Sequence, residues 1–339
     1  MVELKFINTS DSFKNEVNQF IEEWFNSAEF IKSKTSGSTG EPKTIEISKS
    51  KMKASAQMTG KFLNLQKDEV ALLCLSTATI AGKMMIVRSI VLGLKLVIVE
   101  PCSNPFEFIN ERIDFAAIVP LQLTEILKQN PEKLKSVRNV IVGGGSVSDE
   151  IEEQLKKQGL TVFQTFGMTE TISHVAMRKI GLNQEEHYSA LEGNSFSSED
   201  NQLIVHSSLV DDIPLKTNDS VELINAKQFI WKGRTDFVIN SGGVKLQPEE
   251  IEKKLSKLIN CPFFITGKKD TILGEKVILC IESENAIQIQ KSALESYLSK
   301  YELPKEIYIF KQFNYTESNK INRLKTVDLY LKDAIQQIL

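Results

Sequence analysis

The stretch EVALLCLSTATIAGKMMIVRSIVLGLKLVIV, residues 69–99, decides the fold. An apolar run of strand length, Val70 to Leu75, leads into a helix-like segment, Ala81 to Leu92, and then into a second apolar run, Leu96 to Val99. The same alternation continues outward. Downstream come an apolar run at Phe115 to Val119, a helix-like Leu121 to Lys128, a run at Val137 to Val142, a helix at Asp149 to Gln158 and a short run at Thr161 to Phe163. Repeated strand and helix of this kind predict an α/β fold with a doubly wound, mostly parallel sheet. Ligands of such sheets sit in the loops beyond the carboxyl ends of the strands. Upstream, Phe13, Val17, Ile21, Trp24 and Phe25 recur at helical spacing behind the candidate caps Ser10, Asp11 and Ser12, which predicts an amphipathic helix over Asp11 to Asn26. After Gly193 the texture changes to short strands, Gln202 to His206, Val221 to Ile224 and Gln228 to Trp231, and an antiparallel region is expected. The last hundred or so residues mix helix and strand signals at Glu249 to Leu258, Val277 to Glu282, Ile287 to Leu298 and Ile307 to Phe310.

A chain of 339 residues exceeds the usual size of one hydrophobic core, and the texture change places a domain boundary near Asp236, giving domains 1–235 and 236–339. With 41% hydrophobic and 25% charged residues the composition is that of an ordinary globular protein. Lys83, Arg88 and Lys95 interrupt the long apolar stretches, so no membrane span is expected; Met1 to Ser12 has no secretory pattern, and the cytoplasm is the expected location. A net charge of -3, from 41 basic and 44 acidic residues, supplies no general attraction to nucleic acid and favours small-molecule partners. Cys74, Cys102, Cys261 and Cys280 form no CxxC pair and read as reduced core residues.

Five segments carry the polar chemistry. Thr35-Ser36-Gly37-Ser38-Thr39-Gly40-Glu41-Pro42-Lys43 is a loop of glycines, hydroxyls and a lysine, suited to phosphate oxygens but without the spacing of a Walker A motif. Gly143-Gly144-Gly145-Ser146 follows one expected strand, and Thr165-Phe166-Gly167-Met168-Thr169-Glu170-Thr171 follows another; Glu170 offers a hard oxygen ligand for the magnesium ion that accompanies ATP. The fourth segment runs from Gly233 through Arg234, Asp236, Gly242, Gly243 and Lys245 to Glu252, and the fifth, Thr316 to Arg323, contains Lys320. Taken singly, each has a plainer reading: a surface linker, a tight turn, a solvated carboxylate, a glycine-turned hairpin before a helix, a polar loop.

Their order and spacing together resemble the adenylate-forming superfamily of acyl-CoA synthetases, peptide synthetase adenylation domains and luciferases, from Thr35 to Arg323. TSGSTGEPK resembles the family's phosphate loop, FGMTE its adenine and magnesium motif, GRTDFVINSGGVKLQPEEIE its hinge motif and TESNKINR its closing motif. The resemblance implies an ATP-dependent ligase that makes an acyl-adenylate and passes the acyl group to coenzyme A, with a small mobile α+β C-terminal domain. By it, Thr35 to Lys43 hold the pyrophosphate end of ATP, with Thr169 and Glu170 at phosphate and magnesium. Gly143 to Ser146 and Thr165 to Gly167 flank adenine, and Asp219 and Arg234 take the ribose hydroxyls. Asp236 is the hinge, Gly242, Gly243 and Lys245 border the coenzyme A passage, and Lys320 offsets charge on carboxylate and phosphate during adenylation.

The resemblance also exposes departures. The phosphate loop begins at residue 35 where family members carry a longer N-terminal subdomain, so a truncated N-terminal domain is expected, as a monomer or as a homodimer that completes the acyl pocket. Phe166 stands for the motif tyrosine, Asn218 for the glycine before Asp219 and Asn319 for a glycine of the closing motif. The compact length and Gly167 to His174 are most similar to o-succinylbenzoate–CoA ligases of menaquinone synthesis, whose substrate has a second carboxylate. Lys83, Arg88, His174 and Arg178 are the basic groups expected near the pocket, His174 and Lys83 foremost, although a lone histidine is more often structural. The alternatives are an adenylating enzyme for another acid or for a carrier-protein thiol, and a non-catalytic adenylate-binding relative.

Overall fold

In the computed structural model, residues 2–34, 44–210, 214–285, 287–316, 321–331 and 334–338 are described. The first half of the chain builds strands β1 (Leu4–Ile7), β2 (Phe30–Lys34), β3 (Thr44–Ser48), β4 (Val70–Leu73), β5 (Lys95–Val99), β6 (Phe115–Ile118), β7 (Asn139–Val142) and β8 (Thr161–Gly167). Between them lie helices α1 (Asp11–Phe25), α2 (Lys49–Phe62), α3 (Ile80–Leu92), α4 (Pro120–Gln129), α5 (Pro131–Lys135) and α6 (Asp149–Lys157). An antiparallel series follows: β9 (His174–Gly181), β10 (Tyr188–Ala190), β11 (Asn194–Glu199), β12 (Gln202–Ser207), β13 (Leu215–Asn225) and β14 (Gln228–Arg234).

All of these strands except the β2–β3 hairpin join one twelve-stranded sheet, ordered β1-β5-β4-β6-β7-β8-β9-β10-β14-β13-β12-β11. Pairing is parallel from β1 to β8 and antiparallel from β8 onward. The parallel half reads as continuous apolar sequence because both of its faces are covered. Leu73 points into a core shared with Phe13, Trp24, Met52 and Met84 of α1 to α3, while its neighbour Leu72 packs with Leu123, Ile126, Ile151 and Leu155 of α4 and α6. The expected doubly wound arrangement is present, and the order turns back between β4 and β6, which puts the loops after β6, β7 and β8 on the ligand-binding edge.

Two expectations need correction. In α1 the buried residues are Phe13, Val17, Phe20 and Trp24; Phe25 is 62% exposed, because it sits about 100° round the helix from Trp24. Of the cysteines, Cys74 and Cys280 are buried, but Cys102 is exposed. β1 was not anticipated: LKFI is too short a run to stand out, and its strand exists through parallel pairing with β5 at the sheet edge.

After Arg234 the chain turns through Thr235–Phe237 and leaves the large sheet. Strands β15 (Ile239–Ser241), β16 (Val244–Leu246), β17 (Phe263–Asp270), β18 (Gly274–Glu282), β19 (Glu306–Phe310) and β20 (Ile335–Ile338) form a second sheet. Helices α7 (Pro248–Leu255) and α8 (Lys291–Glu295) cover one face around Ile251, Leu255 and Leu294. The opposite face packs Phe264, Phe310 and Phe313 against Val327 of α9 (Arg323–Tyr330). Among the described residues no helix is long and apolar enough to cross a membrane.

Candidate active site

The loops after β7 and β8 are fitted to each other through glycine. A Cβ at Gly143 would stand 2.5 Å from the Thr165 hydroxyl, which itself donates to the Val142 carbonyl, and Gly144 takes φ +83°. Gly144 to Ser146 are solvent-exposed, so their backbone is open to a ligand. Phe166 turns inward instead. Its ring meets Tyr188 and Phe229 edge-on at 5.8 and 5.1 Å, fastening the end of β8 to the antiparallel strands.

Beyond Gly167 the chain makes a tight double turn. A side chain at Gly167 would collide with the Ser173 carbonyl at 2.3 Å, so glycine is required there. Thr169–Thr171 form a 3-10 turn closed by the Thr171 hydroxyl, which accepts from the Met168 N–H and donates to the Ser173 carbonyl. Ile172 then adopts φ +67° and ψ -49°, with Ser173 N–H donating to Thr171 O at 2.7 Å: a γ-turn of the strained hand, at a β-branched residue that is 3% exposed. Such a conformation costs on the order of 1–3 kcal/mol and marks sites where geometry matters more than stability. The turn leaves Glu170 exposed, on the outer side. No group of three or more potential metal ligands occurs among the described residues. A single exposed carboxylate nevertheless suits magnesium, which keeps several waters and takes the rest of its ligands from substrate phosphates.

The four basic candidates separate sharply. Arg88 is 2% exposed and has no carboxylate partner among the described residues. One Nη donates to Ser173 Oγ at 2.8 Å, the other makes a long contact of 3.6 Å to Met85 Sδ, and Nε is buried without any partner. Burial lowers its pKa to about 9, which still leaves it charged at neutral pH. His174, 6% exposed, lies between Ser173 Oγ at 3.3 Å and Thr59 Oγ1 at 2.9 Å. Burial, and then the charge of Arg88, hold it well below its ordinary range.

Lys83 and Arg178 are not brought to that cluster. Lys83 Nζ donates to the Lys32 carbonyl at 2.6 Å and lies over the Phe20 ring, tying α3 to β2 and α1. Arg178 is ion-paired with buried Glu152 of α6, donates to Gln164 at 2.8 Å and stacks on Tyr188, so its charge is already matched. Thr59 and Ser173 went unrecognised in the sequence, since nothing marks a threonine on α2 as the partner of a histidine 115 positions later.

Asp219 on β13 is 6% exposed, accepts from Trp231 Nε1 at 2.9 Å and lies opposite Arg234 on β14. Burial raises its pKa, and its charge reaches Tyr188, which links it to the Phe166 cluster. Arg234 pairs with Asp236 at 2.5 Å, within the turn where the chain leaves the large sheet. Gly242 and Gly243, at φ +58° and +82°, form the two-residue turn between β15 and β16, with both glycines and Lys245 exposed. Thr35 to Lys43 and Lys320 lie outside the described residues. Just after Lys320, Arg323 donates to Glu252 at 2.8 Å and stacks on Phe237, one residue past Asp236; burial pushes the Glu252 carboxyl up to about 7 against the pull of that guanidinium.

Comparison with known proteins gives the family and the fold. A family model described as AMP-binding enzyme matches residues 35–194. A solved structure from Dyadobacter fermentans, an acyl-CoA synthetase (AMP-forming)/AMP-acid ligase II-like protein, is 34% identical, covers 95% of this chain and 95% of its own, and superposes with a TM-score of 0.64. A 2-succinylbenzoate–CoA ligase of Listeria monocytogenes is 27% identical over 322 residues, 86% of this chain and 68% of that protein. The o-succinylbenzoate CoA synthetase of Bacillus subtilis in complex with an acyl-adenylate intermediate shares the fold, with a TM-score of 0.77 at 20% identity over 91% of this chain and 70% of that one.

Proposed function

Because this chain belongs to the AMP-binding enzyme family, we propose that it is an ATP-dependent, AMP-forming acid–CoA ligase whose substrate is an aromatic acid with a second carboxylate, of the o-succinylbenzoate type, acting in menaquinone synthesis in the cytoplasm. The observation that carries the substrate class is Arg88: a charged guanidinium, 2% exposed, with an unpartnered Nε and no carboxylate partner among the described residues. A buried cation is costly unless an anion meets it, and the second carboxylate is that anion. Relatives such as the Listeria ligase, named for 2-succinylbenzoate, support the same class. Lys83 and Arg178, with their other partners, take no part in this subsite.

The reaction needs little acid–base chemistry. A carboxylate oxygen attacks the α-phosphorus of ATP, the α–β P–O bond breaks and pyrophosphate leaves; the coenzyme A sulfur then attacks the acyl carbon, and AMP leaves. Charge on the phosphates must be offset during the first step. In this reading Thr35 to Lys43, with Thr169, take the phosphates and Lys320 approaches the reacting carboxylate. Glu170 would hold a magnesium ion, which would supply positive charge to offset that of the phosphates. Gly143 to Ser146, Thr165 and Phe166 border adenine, and Asp219 and Arg234 take the ribose, Asp219 being held in place by Trp231. Residues 236–339 turn as a unit about Asp236, and the exposed Gly242-Gly243 turn, with Lys245, borders the pantetheine arm; an added Cβ at Gly243 meets nothing within 4 Å, so that surface is open.

The test is pyrophosphate release with ATP, magnesium and an acid panel including o-succinylbenzoate, with and without coenzyme A, for wild type and Lys320→Ala. The expected result is release that depends on the dicarboxylic acid and falls at least a hundredfold in the variant, with thioester formed only when coenzyme A is present. No release with any acid, despite saturable ATP binding, would favour a non-catalytic adenylate-binding protein.

A further inference from the structure

We propose that His174 is a positioning residue for the acid substrate: through Ser173 it fixes the Arg88 guanidinium, and it does so as a neutral imidazole with its proton on Nε2, anchored by Thr59. The inference rests on the reading that Arg88 meets the second carboxylate. Its own support is the direction in which every proton of the cluster points.

A guanidinium only donates, so Ser173 Oγ accepts from Arg88 at 2.8 Å and its own proton is free for a neighbour. The neighbour is His174 Nδ1 at 3.3 Å, which takes that proton as an unprotonated acceptor. Neutral imidazole then carries its proton on Nε2, which donates to Thr59 Oγ1 at 2.9 Å. Thr59 in turn donates to the Ser55 carbonyl at 3.1 Å, one turn back along α2. The relay ends on a backbone acceptor with no proton left over. In the reverse direction Ser173 Oγ would accept from both Arg88 and Nδ1–H, its own proton would have no acceptor among the described residues, and Thr59 would have to leave the Ser55 carbonyl to donate to Nε2.

Protonation of His174 would break the relay at Nδ1. It would also set a second cation beside Arg88, in a site where Thr59 is 0%, Arg88 2% and His174 6% exposed. The groups facing the imidazole from α2, α3 and its own strand are Thr59, Arg88 and Ser173, of which Arg88 alone is charged. The γ-turn at Ile172 completes the device. It presses Ser173 back onto the Thr169–Thr171 turn, where the Thr171 hydroxyl donates to the Ser173 carbonyl at 2.6 Å. The acid end and the nucleotide end of the site are thereby joined through five consecutive residues, Thr169 to Ser173.

The test uses the full chain with o-succinylbenzoate and, as a control, an aromatic monocarboxylic acid. Ser173→Ala and His174→Gln should each raise KM for the dicarboxylate about tenfold, as expected for the loss of a hydrogen bond to a charged group. KM for ATP and kcat with the monocarboxylate should stay within about twofold. The double variant should be no worse than Ser173→Ala alone, because the histidine acts only through that serine. Additive effects, or an unchanged dicarboxylate KM in both single variants while Arg88→Gln raises it, would overturn the positioning role and leave the carboxylate reading standing. An unchanged KM in Arg88→Gln would remove the carboxylate reading itself. Nitrogen-15 NMR of the unaltered protein decides the relay independently of any variant. The chain has only three histidines, and His174 should show the Nε2–H form throughout the neutral range; an Nδ1–H signal would refute the relay.

Discussion

Replacing Arg88 by methionine should make the protein more stable and less useful. The guanidinium is held at a pKa of about 9 against an ordinary 12.5, through burial alone. That difference of about 3.5 units, at roughly 1.4 kcal/mol each, puts the burden of the charged form on the order of 5 kcal/mol at neutral pH. The charge-assisted hydrogen bond to Ser173 returns about 2 kcal/mol of this, leaving a net gain of up to about 3 kcal/mol when an unbranched apolar side chain, shorter by the guanidinium's tip, takes its place. For a folding unit of this size such a gain corresponds to a rise in melting temperature of about 6 °C or more. Urea unfolding followed by circular dichroism measures the stability, and dicarboxylate-dependent pyrophosphate release measures the function. The variant should gain in the first and lose at least tenfold in kcat/KM in the second. A variant destabilised by about 1 kcal/mol or more would mean that the guanidinium holds the fold together and is not kept charged for a ligand.

Three further outcomes follow from the geometry. His174 is held well below its ordinary value of 6.5, so below that pH the unfolded chain binds a proton that the folded chain refuses. Stability should therefore fall as pH drops from 6.5, by up to about 1.4 kcal/mol per unit, and His174→Gln should flatten that part of a urea-unfolding pH series; an unaltered slope would contradict it. Arg178→Ala leaves Glu152 buried without its cation and should cost about 3 kcal/mol in thermal or urea unfolding while leaving the dicarboxylate KM unchanged, which separates it from Arg88. Gly167→Ala forces a Cβ to within 2.3 Å of the Ser173 carbonyl, and the displaced turn should cost about 1–3 kcal/mol in the same unfolding assays and most of the adenylation rate in the pyrophosphate assay. An active, equally stable Gly167→Ala protein would mean that this turn is freely deformable.

The parallel half of the sheet was legible because continuous apolar runs admit few other readings, as at Phe115 to Ile118, where every residue is buried. Of the polar motifs, glycine at position 167 answers a backbone contact that forbids a side chain, and glycine at 143 leaves room for the Thr165 hydroxyl. What sequence could not separate was Lys83 from Arg88. Lys83 was expected to lead, yet both interrupt the same apolar helix, and neither residue type nor local pattern supports that order. Five positions place them about 140° apart around the helix axis, so one pocket cannot receive both. Which face met the protein backbone and which met Ser173 depended on β2 and on the turn after β8, segments about 50 residues earlier and 85 later. His174 shows the same limit from the other side. It was expected near the pocket and lies buried beside Arg88, but its part is set by Thr59 and Ser173, a pairing across 115 positions that only the packed sheet creates. Residue type marks where a charge is available; whether that charge is free for a ligand or committed to the fold is decided by its partners, and among the described residues Arg88 is the one basic candidate of the four with a buried side-chain nitrogen that has no partner.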